Sequence, residues 1–309
     1  MLPNIRAPIL MLALLMVAGC SSATLDAATA PSPTMPRPTA GSVPGHVYLV
    51  RGLVGEVFSL GFYDLAGRVK ERGINASVHS MYAPGLLANE IIAVYRRAPA
   101  PIVLIGHSSG ADAVIGVAEK LKSANVPVIL MFGFDPTPIA GLVPENVELF
   151  INLYQKTNLI GGGEVKAARD FRGRIVNVDL RERREIIHIT LDKSVALHLL
   201  VADKIAAVLR AAVQPANPAR RRKEKAGATP YAYVTPLAAR YVVPADVPIV
   251  LWDSAVRGMV GAGEGLEDFA VRMGAPPWAI ASINNVSRED PLTTGTSLLV
   301  PRSSYNDGR

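Results

Sequence analysis

The 309-residue chain has a single cysteine, only five histidines and 6% aromatic residues. One cysteine excludes an internal disulfide, so the core must hold without a covalent staple. The apolar run near the start, Ile9 to Val17, is too short to cross a bilayer as a mature helix. Basic residues give a formal charge of +6, yet many crowd into one stretch with Arg220, Arg221, Arg222, Lys223 and Lys225. They are not spread over a folded face with aromatics between them, which argues against nucleic acid as a partner. What is plentiful is apolar side chain, at 50% of residues, enough for one medium core and a smaller one.

The segment MLPNIRAPILMLALLMVAGC, residues 1–20, has one early positive charge, an apolar middle and small residues before Cys20, the layout of a secretory signal. Val17-Ala18-Gly19-Cys20 resembles the lipobox of bacterial lipoproteins. That resemblance implies cleavage before Cys20, a lipid on its thiol and a periplasmic, membrane-anchored chain; the alternative is an ordinary signal peptide with an incidental cysteine. Ser21, rather than Asp, resembles an outer-membrane sorting signal. Residues 21–45, rich in Ala, Ser, Thr, Pro and Gly, lack the apolar surface to offset ordering entropy and read as a tether. Residues 213–230 read as a basic linker between two folded parts, and 231–250 fit no pattern.

Between 46 and 212, strand-like runs alternate with amphipathic ones: HVYLVRG, then a helix over 59–73, NASVHSM, a helix over 86–98, PIVLI, and a helix over 109–124. Three apolar runs follow at 127–135, 147–155 and 174–180, and a last helix puts Leu197, Leu200, Val201, Ile205 and Val208 on one face. The alternation predicts an α/β fold with a mostly parallel, doubly wound sheet. Gly106-His107-Ser108-Ser109-Gly110 falls at a strand-to-helix junction inside it. There a tight turn projects the Ser108 hydroxyl from the sheet edge, and the next helix directs its first amides at the same spot.

In this context residues 46–212 resemble the α/β-hydrolase family in a small form without a lid domain. The resemblance implies Ser108 as nucleophile, followed in chain order by an acid and a histidine. Of the five histidines, His188 and His198 lie well downstream. His188 comes after the last predicted strand, where the family places its base, whereas His198 sits within the last helix between leucines. His107 is read as packing against or shaping the pocket. Asp135, ending the strand after the nucleophile helix, is the expected acid, with Asp179 as rival, since no Asp or Glu follows VELFINLYQ until Glu164. The oxyanion amides are expected at Ser109 and, by position alone, Leu53. Such a site cleaves an ester or thioester, with no metal or organic cofactor implied.

Residues 251–303 read as strand, helix, helix, strand: Leu266, Phe269, Ala270 and Met273 recur at helical spacing, Gly274 fits a helix end, Pro277 fits a helix start, and SLLVP closes the unit. The unit resembles the LysM family, with GEGL (263–266) in place of its Gly-Asp-Thr-Leu turn. The resemblance implies that Gly263, Glu264, Leu266 and Asn284 contact an N-acetylglucosamine glycan such as peptidoglycan. The combined expectation is an envelope-anchored serine hydrolase held at the wall. The alternative is a non-catalytic linker between membrane and peptidoglycan on a silent hydrolase fold.

Overall fold

Aliphatic runs flanked by amphipathic segments settle into strands and covering helices in the computed structural model, which describes residues 42–53, 59–157, 160–213, 234 and 236–304. Cys20, residues 21–41 of the expected tether and residues 214–230 of the expected linker lie outside the described residues. The elements run β1 (Val43–Arg51), α1 (Gly61–Glu71), β2 (Ile74–Ser80), α2 (Pro84–Arg97), β3 (Ile102–His107), α3 (Ser109–Ser123), β4 (Leu130–Phe134), β5 (Leu149–Tyr154) and β6 (Arg174–Asp179). Then come α4 (His188–Leu191), α5 (Val195–Val213), β7 (Leu237–Val242), β8 (Ser254–Met259), α6 (Leu266–Met273), α7 (Pro277–Asn284) and β9 (Ser297–Arg302).

Seven strands, β1 to β7, form one sheet in the order β2-β1-β3-β4-β5-β6-β7, each neighbouring pair parallel. The two-residue period of a strand sends alternate side chains to opposite faces. Val47 and Leu49 of β1, with Val103 and Ile105 of β3, pack with α1 and α5. Tyr48, Val50, Ile102 and Leu104 pack with α2 and α3 on the other face. This is why the strands read as unbroken apolar runs. Helix α5 buries Leu197, Val201, Ile205, Val208 and Leu209 completely or nearly so, each contributing at most about 1.5–3 kcal/mol.

Strand β1 lies between β2 and β3, so the chain turns one way after β1 and the other way after β2. That reversal opens a crevice beyond the carboxyl ends of β1 and β3, the place where open α/β sheets gather their functional loops. The layout fits an α/β-hydrolase.

Strand β7 comes from the stretch that fitted no pattern. It pairs with β6 in full register, Arg174 opposite Leu237 through Asp179 opposite Val242. As an edge strand it is buried on alternate residues only, and with Arg240 inside and prolines at 236 and 244 it carries a weak apolar signal.

Strands β8 and β9 make a separate antiparallel pair, and α6 and α7 complete a small core around Leu266, Phe269, Met273, Ile280 and Val300. Gly274 closes α6 in the left-handed region at φ 62°, and Pro277 opens α7, as their positions in the sequence predict. This unit abuts the sheet: Trp278 of α7 lies 5.3 Å from Trp252 and 6.5 Å from Tyr241, ring to ring, and the β7 amide of Val242 donates to Ser282 Oγ at 2.7 Å. The described residues form one compact unit. No helix among the described residues is long and apolar enough to cross a membrane.

Candidate active site

Ser108 occupies the turn between β3 and α3 with φ 55° and ψ −129°, a conformation that is strained for any residue with a side chain. The turn holds because its amide donates to Phe134 O at 2.8 Å and its carbonyl accepts from Ala111 N at 2.8 Å. Gly106 and Gly110 make it possible. A Cβ on Gly106 would collide with the Gly110 carbonyl, and one on Gly110 with the Val50 carbonyl of β1.

His188 is the first residue of the single-turn helix α4. Its Nδ1 lies 2.7 Å from Asp135 Oδ2, and its Nε2 lies 3.0 Å from Ser108 Oγ. A carboxylate can only accept, so Nδ1 carries the proton, and Nε2 is left to accept from the serine hydroxyl. Asp135 is fully buried at the end of β4 with φ 51°, and its other oxygen accepts from Gly162 N at 2.7 Å and Gln155 N at 3.2 Å. The structure thus brings Ser108, His188 and Asp135 into one hydrogen-bonded line. The rival Asp179, also fully buried, is held by Arg181, whose Nε donates to it at 2.8 Å. His198 is buried in α5 with Nε2 donating to Asp192 O at 2.6 Å.

Ser109 is the first residue of α3, so its amide has no carbonyl within the helix to bond. The Leu53 amide donates to Ser109 Oγ at 2.8 Å, and Ser109 Oγ lies 2.9 Å from Met81 Sδ. Both expected oxyanion residues therefore flank the serine, with the Ser109 hydroxyl resting on the Leu53 amide.

His107 does more than fill space. Its Nε2 lies 2.9 Å from the carbonyl of His188, which can only accept, so Nε2 carries the proton and Nδ1 accepts from Ser59 Oγ at 2.8 Å. Ser59 Oγ in turn accepts from Gly52 N at 3.2 Å. One neutral ring thus joins the loop after β1 to the backbone of His188. Burial holds His107 down at about 4, with the nearby His188 adding to the effect, so it stays uncharged near neutral pH. Gln155 supports the acid side: besides bonding Asp135 through its amide, it donates from Nε2 to Ile186 O at 2.6 Å. Ser59, Met81 and Gln155 lay beyond sequence reasoning because each is a common residue with no motif around it; Gln155 alone had a signal, as the polar end of VELFINLYQ.

In the smaller unit, Leu266 and Asn284, two of the four residues expected at a glycan site, are tied into the fold. Leu266 is buried in its core. Asn284 donates to Leu299 O at 2.7 Å and Ile280 O at 2.8 Å and accepts from Leu299 N at 2.8 Å. Glu264 pairs with Arg272 and accepts from Gly261 N at 2.7 Å, which hold its carboxyl down at about 2. Gly263 sits in an exposed turn at φ 69°.

No protein-family model matches the sequence, and no curated protein matches it. Among solved structures the chain is similar to human thioesterase 2, with 12% identity and a TM-score of 0.37 over 56% of this chain and 99% of that one. It is also similar to the NocB thioesterase domain from the nocardicin cluster, with 16% identity and a TM-score of 0.35 over 54% and 95%. A third is the type II thioesterase BorB from the borrelidin cluster, with 14% identity and a TM-score of 0.33 over 57% and 95%.

Proposed function

We propose that the chain is a serine hydrolase that cleaves a carboxylic ester or thioester. The reading rests on the line Ser108 Oγ, His188 Nε2, His188 Nδ1, Asp135 Oδ2, with links of 3.0 and 2.7 Å at the carboxyl edge of the sheet. As the Ser108 oxygen attacks the substrate carbonyl, His188 Nε2 takes its proton, and Asp135 stabilises the resulting imidazolium. The carbonyl oxygen becomes an oxyanion between the amides of Ser109 and Leu53, the latter released when the Ser109 hydroxyl turns aside. Collapse expels the alcohol or thiol, which takes the proton back from His188. Water, deprotonated by His188, then attacks the acyl-enzyme, and departure of the carboxylic acid returns the proton to Ser108.

A fluorophosphonate probe tests this. Wild type is expected to become labelled and Ser108→Ala to remain unlabelled while melting at a similar temperature. Folded wild-type protein that takes no label would return the non-catalytic linker reading.

We further propose a LysM-like role for residues 251–303, binding peptidoglycan through the exposed loops 260–265 and 285–296, which Gly295 N joins by donating to Val260 O at 2.8 Å. Full-length protein should sediment with purified peptidoglycan and be released by soluble N-acetylglucosamine oligomers; failure to sediment sinks the idea. The lipoprotein reading of Cys20 is proposed on its sequence context alone. Metabolic labelling with a fatty acid, lost in Cys20→Ser, is its test.

A further inference from the structure

Large apolar side chains are exposed on this molecule in an uneven way. Leu53 follows β1, Tyr82 and Leu86 follow β2, Ile139 follows β4, Ile160 follows β5 and Ile187 follows β6, and all six are exposed, Leu86 to 71% and Ile139 to 90%. In a parallel sheet every strand ends at the same edge, so these loops gather at the edge where Ser108 stands. Among the described residues immediately before β2, β3, β4, β5 and β6, at the opposite edge, no large aliphatic or aromatic side chain is exposed. Exposed apolar surface gathered at one place marks a binding surface.

We propose that this edge docks on a lipid surface and that the ester cleaved at Ser108 is a long-chain acyl ester drawn from it; the inference rests on Ser108 being the nucleophile. Five of these residues stand on five separate loops and Leu86 on the first turn of α2, an arrangement that a fluid apolar phase accommodates more readily than one rigid helix or strand does. Charge does not drive the contact, because exposed Lys156, Arg184 and Lys193 near this edge are offset by exposed Glu182 and Glu185 and by exposed Asp64 in the first turn of α1. The anchor permits it too. With a lipid on Cys20, the chain to Ser42 can reach about 75 Å when extended. Strand β1, whose nine residues rise about 30 Å from the opposite edge, is shorter than that reach. Anchor and apolar edge can therefore meet one membrane.

The test uses the chain from Ser21 onward, which holds every described residue and no lipid, with phosphatidylcholine vesicles carrying p-nitrophenyl palmitate. Wild type should sediment with the vesicles equally at low and high salt and hydrolyse the palmitate, and Ser108→Ala should sediment equally without hydrolysis. The double variant Leu86→Ser, Ile139→Ser should lose about tenfold or more in vesicle binding and in palmitate hydrolysis. It should keep wild-type hydrolysis of soluble p-nitrophenyl acetate. Wild type that cleaves the acetate but stays off the vesicles overturns the docking surface while leaving the hydrolase intact. So does a dimer that the double variant abolishes, since the edge would then face a second copy. Binding without cleavage of any ester removes the hydrolase reading, and with it the claim that this surface feeds a serine.

Discussion

Asp135 and Asp253, two of the four fully buried carboxylates among the described residues, both accept from nitrogen donors, and they do different things. Asp135 holds His188, which reaches Ser108. Asp253, just before β8, accepts from Lys204 Nζ at 3.0 Å and from Ser304 N at 2.6 Å, and its carbonyl accepts from Arg174 Nη1 at 3.0 Å. Lys204 also donates to Ser303 Oγ at 3.0 Å and Arg174 to Ser304 Oγ at 2.9 Å. Around Asp253 each polar group is bound to fixed neighbours, and the cluster ties α5 and β6 to the C-terminal segment. Around Asp135 the line ends at a half-buried hydroxyl with an approach from solvent. Backbone strain follows the same division, since Ser108 and Asp135 have positive φ and no residue of the Asp253 cluster does. A buried carboxylate with a basic neighbour is thus no sign of chemistry by itself. Strain and a line that ends in the open are.

The largest effect that sharpens this contrast is on rate. Asp135→Asn should lower kcat/KM for a soluble ester by about three to four orders of magnitude, because an amide cannot stabilise the imidazolium, while the fold persists. A loss below tenfold would put Asp135 in the same structural category as Asp253. The reciprocal change is in stability. Asp253→Ala leaves Lys204 buried without its counter-charge and should cost about 3–5 kcal/mol in urea unfolding, with kcat/KM per folded molecule unchanged. Lost activity in well-folded Asp253→Ala would break the comparison.

Local pattern made the active edge legible. The Gly-x-Ser-x-Gly turn and the strand and helix beside it reside in a short stretch whose geometry the backbone dictates, so Ser108 was within reach of the sequence, while His188 and Asp135 came from the chain order that the family resemblance implies. The Asp253 cluster was not legible, since Arg174, Lys204, Asp253 and Ser304 are far apart in the chain and joined only by tertiary packing. β7 escaped for a related reason: an edge strand buried on alternate residues lacks the apolar run that revealed β3 to β6. Asn284 shows the limit of resemblance, because a family position was legible while its bonds to β9 needed coordinates.

His107 lies between the two categories, buried like Asp253 yet bonded to His188. His107→Ala should lower kcat by about ten- to a hundredfold at unchanged KM, since the His188 carbonyl loses its donor, and His107→Gln, which keeps an N–H, should recover most of that loss. Equal losses in both would make the ring a packing residue only. Stability carries a second signature. The ring's folded value of about 4 is below its ordinary 6.5, so the unfolded chain binds more protons and wild type loses stability as pH falls from about 6.5 toward 4. His107→Gln should flatten that decline.

The smallest effect concerns another fully buried carboxylate, Asp192, which has no ion pair among the described residues and no line to solvent. One oxygen accepts from Gly61 N at 3.1 Å at the start of α1, and the other has no hydrogen-bond partner among the described residues. Burial raises Asp192 to about 6, from an ordinary 3.8. Between those values the folded state holds the proton and the unfolded chain releases it, so stability should fall as pH rises from about 4 to about 6, and the penalty should stay level above that. Asp192→Asn cannot titrate. Its stability relative to wild type should therefore climb across the same window and plateau near pH 7, as read from urea unfolding at successive pH values. Parallel curves for the two proteins would mean that Asp192 is already matched by a partner as Asp253 is, and burial without pairing would no longer separate it from the other two.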